Sequence, residues 1–317
     1  MRTLLGALSL ACLIVLGVAV PSASASTLFN AKVVIIVGPV AGSTGSYETD
    51  ANEAAAMARQ YSTNVVTIYT PHATWAAVSA ALQGASIVVY MGHGNGYTSP
   101  YHPTFDINSI PATVDGLGLN PQDTSSNNST TEYHGEAALA KSIHLAPNAV
   151  VILAHLCYSA GNSEPQNPAP TFATARLRVD NMGAGWLRTG ARAVISEVYS
   201  SGTAGWWIQQ LFTTHASIGD LFQAAPTHHN GIQTSPSIRN AWATVQLDLD
   251  LTRPTTSNER YSRAISGDMT LLSGSVVGNP VSSPYGQSNL GQSGAGARTS
   301  LGSTIVASDL RLRPQLR

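Results

Sequence analysis

Short hydrophobic runs rich in β-branched residues recur along the chain, each of a length typical of a buried strand. The clearest, AVVIL at residues 149–153, leads into His155-Leu156-Cys157 and then into Tyr-Ser-Ala-Gly. A second stretch, SIVVYMGHGNG at residues 86–96, has the same design, with His93 in the place of the cysteine. Both residues therefore stand where a buried strand opens into a loop, and open α/β sheets place their chemistry there.

Strand patterns alternate with helix patterns through most of the chain. The sequence predicts strands at residues 32–37, 64–69, 149–153 and 191–198, with one more directly before His93. It predicts helices at residues 47–61, 74–82, 136–143 and 203–215. Such alternation implies right-handed crossovers and a parallel sheet covered on both faces. We therefore expect an α/β three-layer sandwich with a mostly parallel sheet of about six strands.

The two ends of the chain differ from this α/β pattern. Residues 1–25 read as a secretory signal, with Arg2, an apolar stretch at 4–20 and a small-residue Ala23-Ser24-Ala25 site. A membrane anchor is the alternative, but the apolar stretch is short for a span. Residues 273–317 are rich in Gly, Ser and Pro and predict a flexible tail. We expect a secreted protein whose α/β domain covers residues 30–272, with no membrane association after cleavage.

Removal of the signal changes the cysteine count. Cys12 leaves with the signal, so Cys157 becomes the sole cysteine of the mature chain, and a disulfide within the chain is excluded. A lone thiol is a liability in an oxidising compartment. Cys157 is either a buried, inert residue or a functional one. Its position at the end of a strand favours function.

Charge and motifs exclude several classes of protein. Lys and Arg total 16 against 17 Asp and Glu, and no basic run interleaves with aromatic residues, which argues against nucleic acid as a partner. The glycines around His93 lack the Lys-Ser/Thr of a phosphate loop. A Gly-x-Ser-x-Gly motif is absent, which disfavours a serine hydrolase.

A thiol and an imidazole at the ends of successive buried strands suit nucleophilic catalysis. A nearby imidazole activates a thiol by taking its proton or by ion pairing. Backbone N–H groups at Gly94 and Cys157 could stabilise a tetrahedral oxyanion. If the two strands are neighbours, about 4.8 Å apart, both side chains can reach a common site at the edge of the sheet.

These blocks resemble the caspase-fold cysteine peptidases of clan CD, which include caspases, metacaspases, legumains, clostripain and gingipains. SIVVYMGHG matches their hydrophobic block ending in His-Gly, and AVVILAHLCYSAG their later block ending in a cysteine. Cys-Tyr-Ser is similar to the Cys-x-Ser-Gly forms of metacaspases and legumains. YSRAISGDMTLL at residues 261–272 looks like the last strand of the gingipain branch.

The resemblance covers roughly residues 32–272 and implies a secreted cysteine endopeptidase that works through an acyl-enzyme. It implies His93 and Cys157 as the catalytic dyad, and the Gly94 and Cys157 amides as the oxyanion hole. Two features depart from the family pattern. His155 stands where many members carry a small or acidic residue, and Ala160 is an extra residue before Gly161.

Family members tend to be strict about the residue before the scissile bond. Glu197, at the end of the fifth strand, and Glu164, in the loop after Cys157, are the acidic residues expected nearest the substrate pocket. Either would favour Arg or Lys in a peptide substrate by ion pairing. The alternative is that both are solvated or structural carboxylates.

Two other functions remain open. The chain is either a peptidase or a non-catalytic binding module of the same fold, at the cell surface or outside the cell. Another thiol hydrolase, such as an amidase, would take its base after the cysteine, at His215 or His228. The order of His93 before Cys157 weighs against that last hypothesis.

No cofactor is expected. A zinc site could use His155 and Cys157 with His93, His102 or His134, but no pair has a recognisable ligand spacing. Calcium could bind near Asp123 and Glu132, although an ordinary loop explains that tract better. His155 alternates with Cys157, which predicts both on one strand face. We interpret it as a packed or hydrogen-bonded neighbour rather than a ligand.

Overall fold

The strands and helices expected from the hydrophobic pattern are present in the computed structural model, which describes residues 28–96, 115–124, 129–165, 167–199 and 202–280. All of these residues belong to the first of two compact units, Met1–Ser282. The signal segment 1–25 and the tail beyond residue 280 lie outside the described residues. No helix in the described part of the chain is long and apolar enough to cross a membrane.

The described strands form a mixed sheet of eight strands in the order β2-β1-β3-β7-β8-β11-β10-β9. The first five strands in that order run parallel, and the last three pair antiparallel. The strands are β1 (Val33–Val37), β2 (Val65–Tyr69), β3 (Ile87–Met91), β7 (Ala149–Ala154), β8 (Ala191–Glu197), β9 (Ile232–Pro236), β10 (Thr244–Asp248) and β11 (Arg263–Gly267). A small sheet contains β4 (Gly94–Asn95), β5 (Gly116–Leu119) and β6 (Glu132–His134).

Helices cover both faces of the large sheet because alternate side chains of its central strands point in opposite directions. Val33, Ile35 and Val37 pack in one core with α1 (Thr44–Arg59), α5 (Thr203–Thr213), α6 (Ile218–Ala224) and α7 (Ser273–Val277). Val34 and Ile36 pack in a second core with α2 (Trp75–Leu82), α3 (Glu136–Ser142) and α4 (Phe172–Leu187). The continuous burial of β1, β3 and β7 explains their unbroken apolar sequences.

The sheet is larger and more mixed than the sequence predicted, with eight strands instead of about six. Both strands that were missed, β9 and β10, are rich in polar residues, and β9 is largely exposed. Helix α4 was missed for a related reason. Its buried face contains polar and small residues, among them Arg178, Asp180 and Gly183, so it shows no apolar stripe.

The α/β domain also continues past residue 272, where the sequence placed its end. Residues 273–277 form α7, and Val276 and Val277 are buried against the core. Phe29, just before β1, bridges to Pro280. This short piece of the expected tail is therefore part of the fold.

Candidate active site

His93 and Cys157 follow two neighbouring parallel strands. β3 pairs with β7 in a register that aligns Met91 with Ala154, so the chain leaves both strands at the same edge of the sheet. His93 lies two residues beyond Met91, and Cys157 lies three residues beyond Ala154. The neighbouring strands on which the sequence hypothesis depended are thus present.

The loops that carry these two residues touch through their backbones. A β-carbon added to Gly94 would lie 2.1 Å from the carbonyl oxygen of Cys157 and 2.9 Å from Cγ of Leu156. One added to Gly96 would lie 2.2 Å from Cβ of Tyr158. Only glycine allows this approach, since real β-carbons do not come within 3.0 Å of such atoms. The glycines around His93 therefore bring its loop against the Cys157 loop.

A buried phenol fixes the loop after β3. The Tyr90 hydroxyl lies 3.0 Å from the carbonyl oxygen of His93 and 2.9 Å from that of Gly118, and it can donate to either. It also accepts a hydrogen bond from the Gly118 N–H at 2.8 Å. Tyr90 is fully buried, so these partners take the place of water. The His93 backbone is tied to β5 in this way.

The Cys157 loop turns sharply and is held by its own contacts. His155 and Tyr158 have positive φ angles of 58° and 69°, which are uncommon for residues other than glycine. Ser159 Oγ donates to the Leu156 carbonyl at 2.8 Å. The Tyr158 hydroxyl donates to Glu164, and Arg178 donates to the carbonyl oxygens of residues 161 and 162. A strained turn that is braced at several points is typical of functional sites.

The thiol and the imidazole are both uncharged at neutral pH. Burial raises the pKa of Cys157 from 9.0 to about 11, and the negative charge of Glu164 adds to the increase. Burial lowers the pKa of His93 below its ordinary value of 6.5. Within the described residues, no hydrogen bond or ion pair joins the two side chains, so the resting site holds a neutral thiol and a neutral imidazole rather than an ion pair.

Three tyrosines from different elements respond to the charge of a Cys157 thiolate. Tyr47 lies in α1, Tyr133 in β6 and Tyr199 two residues after β8. Burial raises the pKa of each, and the negative charge of the thiolate raises it further. Cys157 itself is only partly exposed.

The two acidic residues expected to select the substrate have different surroundings. Glu197 is 1% exposed, and its carboxylate accepts hydrogen bonds from Trp207 at 3.1 Å, Thr227 at 3.0 Å and Arg263 at 2.9 Å. It is therefore a structural ion-pair partner and faces no substrate pocket, which corrects the expectation for this residue. Glu164 is half-buried, and its charge acts on Cys157, so it lies at the site.

A surface pocket of about 290 Å³ is lined in part by Tyr199. Its walls also contain Asp250 and Glu259, both paired with Arg253, at 3.4 Å and 3.0 Å respectively. These pairs offset the negative charge of the pocket. The sequence gave no reason to single out these residues, because they lie 93 or more positions after Cys157 in a polar stretch.

His155 has a partner that the sequence did not reveal. Its Nε2 lies 2.9 Å from Oδ2 of Asp50, and its ring stacks on Tyr47 with centroids 4.6 Å apart. A packed and hydrogen-bonded role for His155 is thereby confirmed. The expectation that it shares a strand face with Cys157 is wrong, because β7 ends at Ala154 and the chain turns at His155.

The other histidines do not converge on Cys157. His134 stacks on Trp75, His228 lies 2.9 Å from Asp248, and His215 lies next to Gly274 near α7. His102 lies outside the described residues. Within the described ranges, no group of three or more His, Cys, Asp or Glu residues is placed to hold a metal ion. Of the calcium candidates, Asp123 pairs with His72 at 2.5 Å, and Glu132 lies 3.7 Å from His134.

Comparisons with known proteins assign no family to the chain. No protein-family model matches it, and no curated protein matches it. A crystal structure of protein GSU0716 from Geobacter sulfurreducens is similar to this chain at 15% identity, over 61% of this chain and 87% of that one, with a TM-score of 0.29. Similarity at that level supports no argument about function, so the residues of the site must support the proposal.

Proposed function

We propose that the protein is a secreted cysteine endopeptidase of the caspase-like fold, with His93 as general base and Cys157 as nucleophile. The observation that carries the proposal is the backbone contact between Gly94 and Cys157 at the ends of the neighbouring strands β3 and β7. The helices on both faces of the sheet agree with a caspase-like three-layer sandwich.

The reaction requires neutral partners at the start, and burial favours that state for both His93 and Cys157. His93 accepts the thiol proton as Sγ attacks the carbonyl carbon of the scissile peptide bond. The amides of Gly94 and Cys157 would stabilise the oxyanion that forms. His93 then returns the proton to the leaving amine, which leaves an acyl-enzyme thioester. Water hydrolyses the thioester and regenerates the free thiol.

We also propose that the peptidase prefers Arg or Lys before the scissile bond, with Glu164 as the acidic residue that selects it. Glu164 is near enough to Cys157 to raise the pKa of its thiol. A cationic substrate side chain beside Glu164 would reverse that effect and favour the thiolate. Glu197 is not part of this proposal, because it is 1% exposed and pairs with Arg263 in the interior.

A non-catalytic binding module is the second candidate, and it is favoured by the lack of a hydrogen bond between His93 and Cys157 within the described residues. A thiol with a pKa of about 11 and no active base would react only slowly at neutral pH. The two candidates therefore differ in the reactivity of Cys157 when His93 is present.

Alkylation of the mature protein with iodoacetamide at neutral pH tests this difference. We expect labelling to be lost in Cys157→Ala and to fall at least about tenfold in His93→Ala, the low end of general-base contributions. Unchanged labelling in His93→Ala would exclude the dyad and favour the binding module. A peptide library varied at the residue before the cut then tests the basic preference, which Glu164→Gln should weaken.

A further inference from the structure

His155 occupies a costly backbone position two residues before the proposed nucleophile. Its φ of 58° is one that a residue with a β-carbon rarely adopts. Its N–H donates to the carbonyl oxygen of Glu197 at 3.1 Å, which anchors the end of β7 to β8. A conformation of this kind persists only where the surrounding structure holds it in place.

Asp50 of α1 holds the side chain of His155 in place. Its Oδ2 lies 2.9 Å from Nε2 of His155, and the two side chains are only 14% and 12% exposed. Tyr47, one helical turn before Asp50, covers the His155 ring at 4.6 Å with an angle of 22° between the rings. The histidine is therefore fixed at one nitrogen and on one face. A residue 105 positions away in the sequence determines its orientation.

This assembly reaches the thiol. Cys157 follows His155 by two residues, and the Tyr47 hydroxyl responds to the charges of both Cys157 and Asp50. By contrast, no described carboxylate is hydrogen-bonded to His93. The Tyr90 hydroxyl holds the backbone of the His93 loop, and the Asp50–His155 pair holds the first residue of the Cys157 loop.

We propose that Asp50 and His155 are positioning residues: their hydrogen bond fixes the turn out of β7 and so directs the Cys157 thiol toward His93. The inference rests on the proposed function, since it takes His93 as the base. Neither residue contacts the reacting atoms in this scheme. Loss of their bond should impair the cooperation between His93 and Cys157 rather than the intrinsic properties of either group.

A double-mutant cycle tests the proposal, with iodoacetamide labelling of the folded protein as the measurement. His93→Ala should slow labelling at least about tenfold in the wild-type background. In Asp50→Ala, labelling should already be slow, and adding His93→Ala should slow it further by less than about twofold, because coupled residues are not additive. Glu53→Gln, an exposed carboxylate change on the same helix, is the matched control and should leave labelling unchanged.

The outcomes separate this inference from the function on which it rests. If His93→Ala slows labelling equally with and without Asp50, the positioning role is overturned while the dyad stands. If His93→Ala has no effect in the wild-type background, the dyad fails and the positioning role fails with it. Should Asp50→Ala not fold, the cycle is run with Asp50→Leu, which is similar in size to aspartate and removes both acceptor oxygens. There the effect of His93→Ala must still be smaller than in the wild type.

Discussion

The carbonyl oxygen of Cys157 occupies the space where a side chain on Gly94 would begin. An added β-carbon would lie 2.1 Å from that oxygen, and the atom it meets is backbone rather than the end of a flexible side chain. The loop after β3 and the loop after β7 can therefore close on each other only when residue 94 is glycine. This contact connects the proposed base and nucleophile more directly than the pairing of their strands does.

Replacing Gly94 by alanine should force these two loops apart. Overpacking of this kind costs roughly 1–3 kcal/mol, and iodoacetamide labelling of Cys157 should lose its dependence on His93. Urea denaturation measures the change in stability. The rate of Cys157 labelling, compared with and without His93→Ala, measures the loss of dependence on His93. Gly42→Ala is the control, since an added β-carbon there meets nothing within 4 Å. Equal behaviour of the two variants would show that the contact has no role.

Substitution of Glu197 should affect stability and not substrate choice. Glu197 and Arg263 are both 1% exposed and lie 2.9 Å apart, so Glu197→Gln removes one of the two buried carboxylates that pair with Arg263. Asp248, at 2.7 Å, remains as the other partner, so the cost should be roughly 1–3 kcal/mol rather than the roughly 3–5 kcal/mol of an unpaired buried charge. Glu259→Gln removes a pair with Arg253 whose side chains are about half exposed, and it should change stability by less than about 1 kcal/mol. If Glu197→Gln kept normal stability but changed the residue preferred before the scissile bond, Glu197 would be a substrate-binding residue after all.

The sequence predicted best those elements that are buried on both faces. β1, β3 and β7 carry unbroken apolar runs because helices cover each side of them, and β3 and β7 lead to His93 and Cys157. The antiparallel strands β9 and β10 have no such signal, since polar residues interrupt both of them.

Contacts between distant residues limited what could be predicted of the site. The partner of His155 is Asp50, which reads in the sequence as an ordinary polar residue on a helix. Glu197 seemed available for a substrate because its partner Arg263 lies 66 residues later, on a strand that returns antiparallel. Residue type and order were sufficient to propose His93 and Cys157 as a pair, but they did not predict the surroundings of any carboxylate.

Removing the Tyr90 hydroxyl should loosen the His93 loop. Tyr90→Phe leaves the buried Gly118 N–H without its acceptor, which costs about 1–3 kcal/mol. Labelling of Cys157 should slow as well, because the His93 carbonyl loses its link to the strand. Tyr69→Phe removes a hydroxyl whose bond to Asn52 is exposed, and it should shift stability by less than about 0.5 kcal/mol. Thermal melting compares the stability of the two variants. A Tyr90→Phe protein as stable as Tyr69→Phe would contradict the prediction.

The pH dependence of the thiol should depend on Glu164. Ultraviolet titration of the thiolate should give Cys157 a pKa of about 11, and Glu164→Gln should lower that pKa by removing a nearby negative charge. Glu259→Gln, whose charge acts on Tyr199, is the control and should leave the pKa of the thiol in place. A Cys157 pKa that is the same in Glu164→Gln and the wild type would remove Glu164 from the site.

The raised pKa of Cys157 also predicts how the stability of the protein changes at alkaline pH. Between pH 9.0 and about pH 11, the Cys157 thiol of the folded protein keeps its proton, whereas the thiol of the unfolded chain loses it. The unfolded state therefore binds fewer protons than the folded state over this range of pH. The free energy of unfolding should therefore fall as the pH rises from 9.0 to about 11, and Cys157→Ala should lack this part of the decline. Urea denaturation of both proteins at about pH 8 and about pH 10.5 measures the difference. Parallel curves for the two proteins would mean that the thiol is not buried as the structure has it.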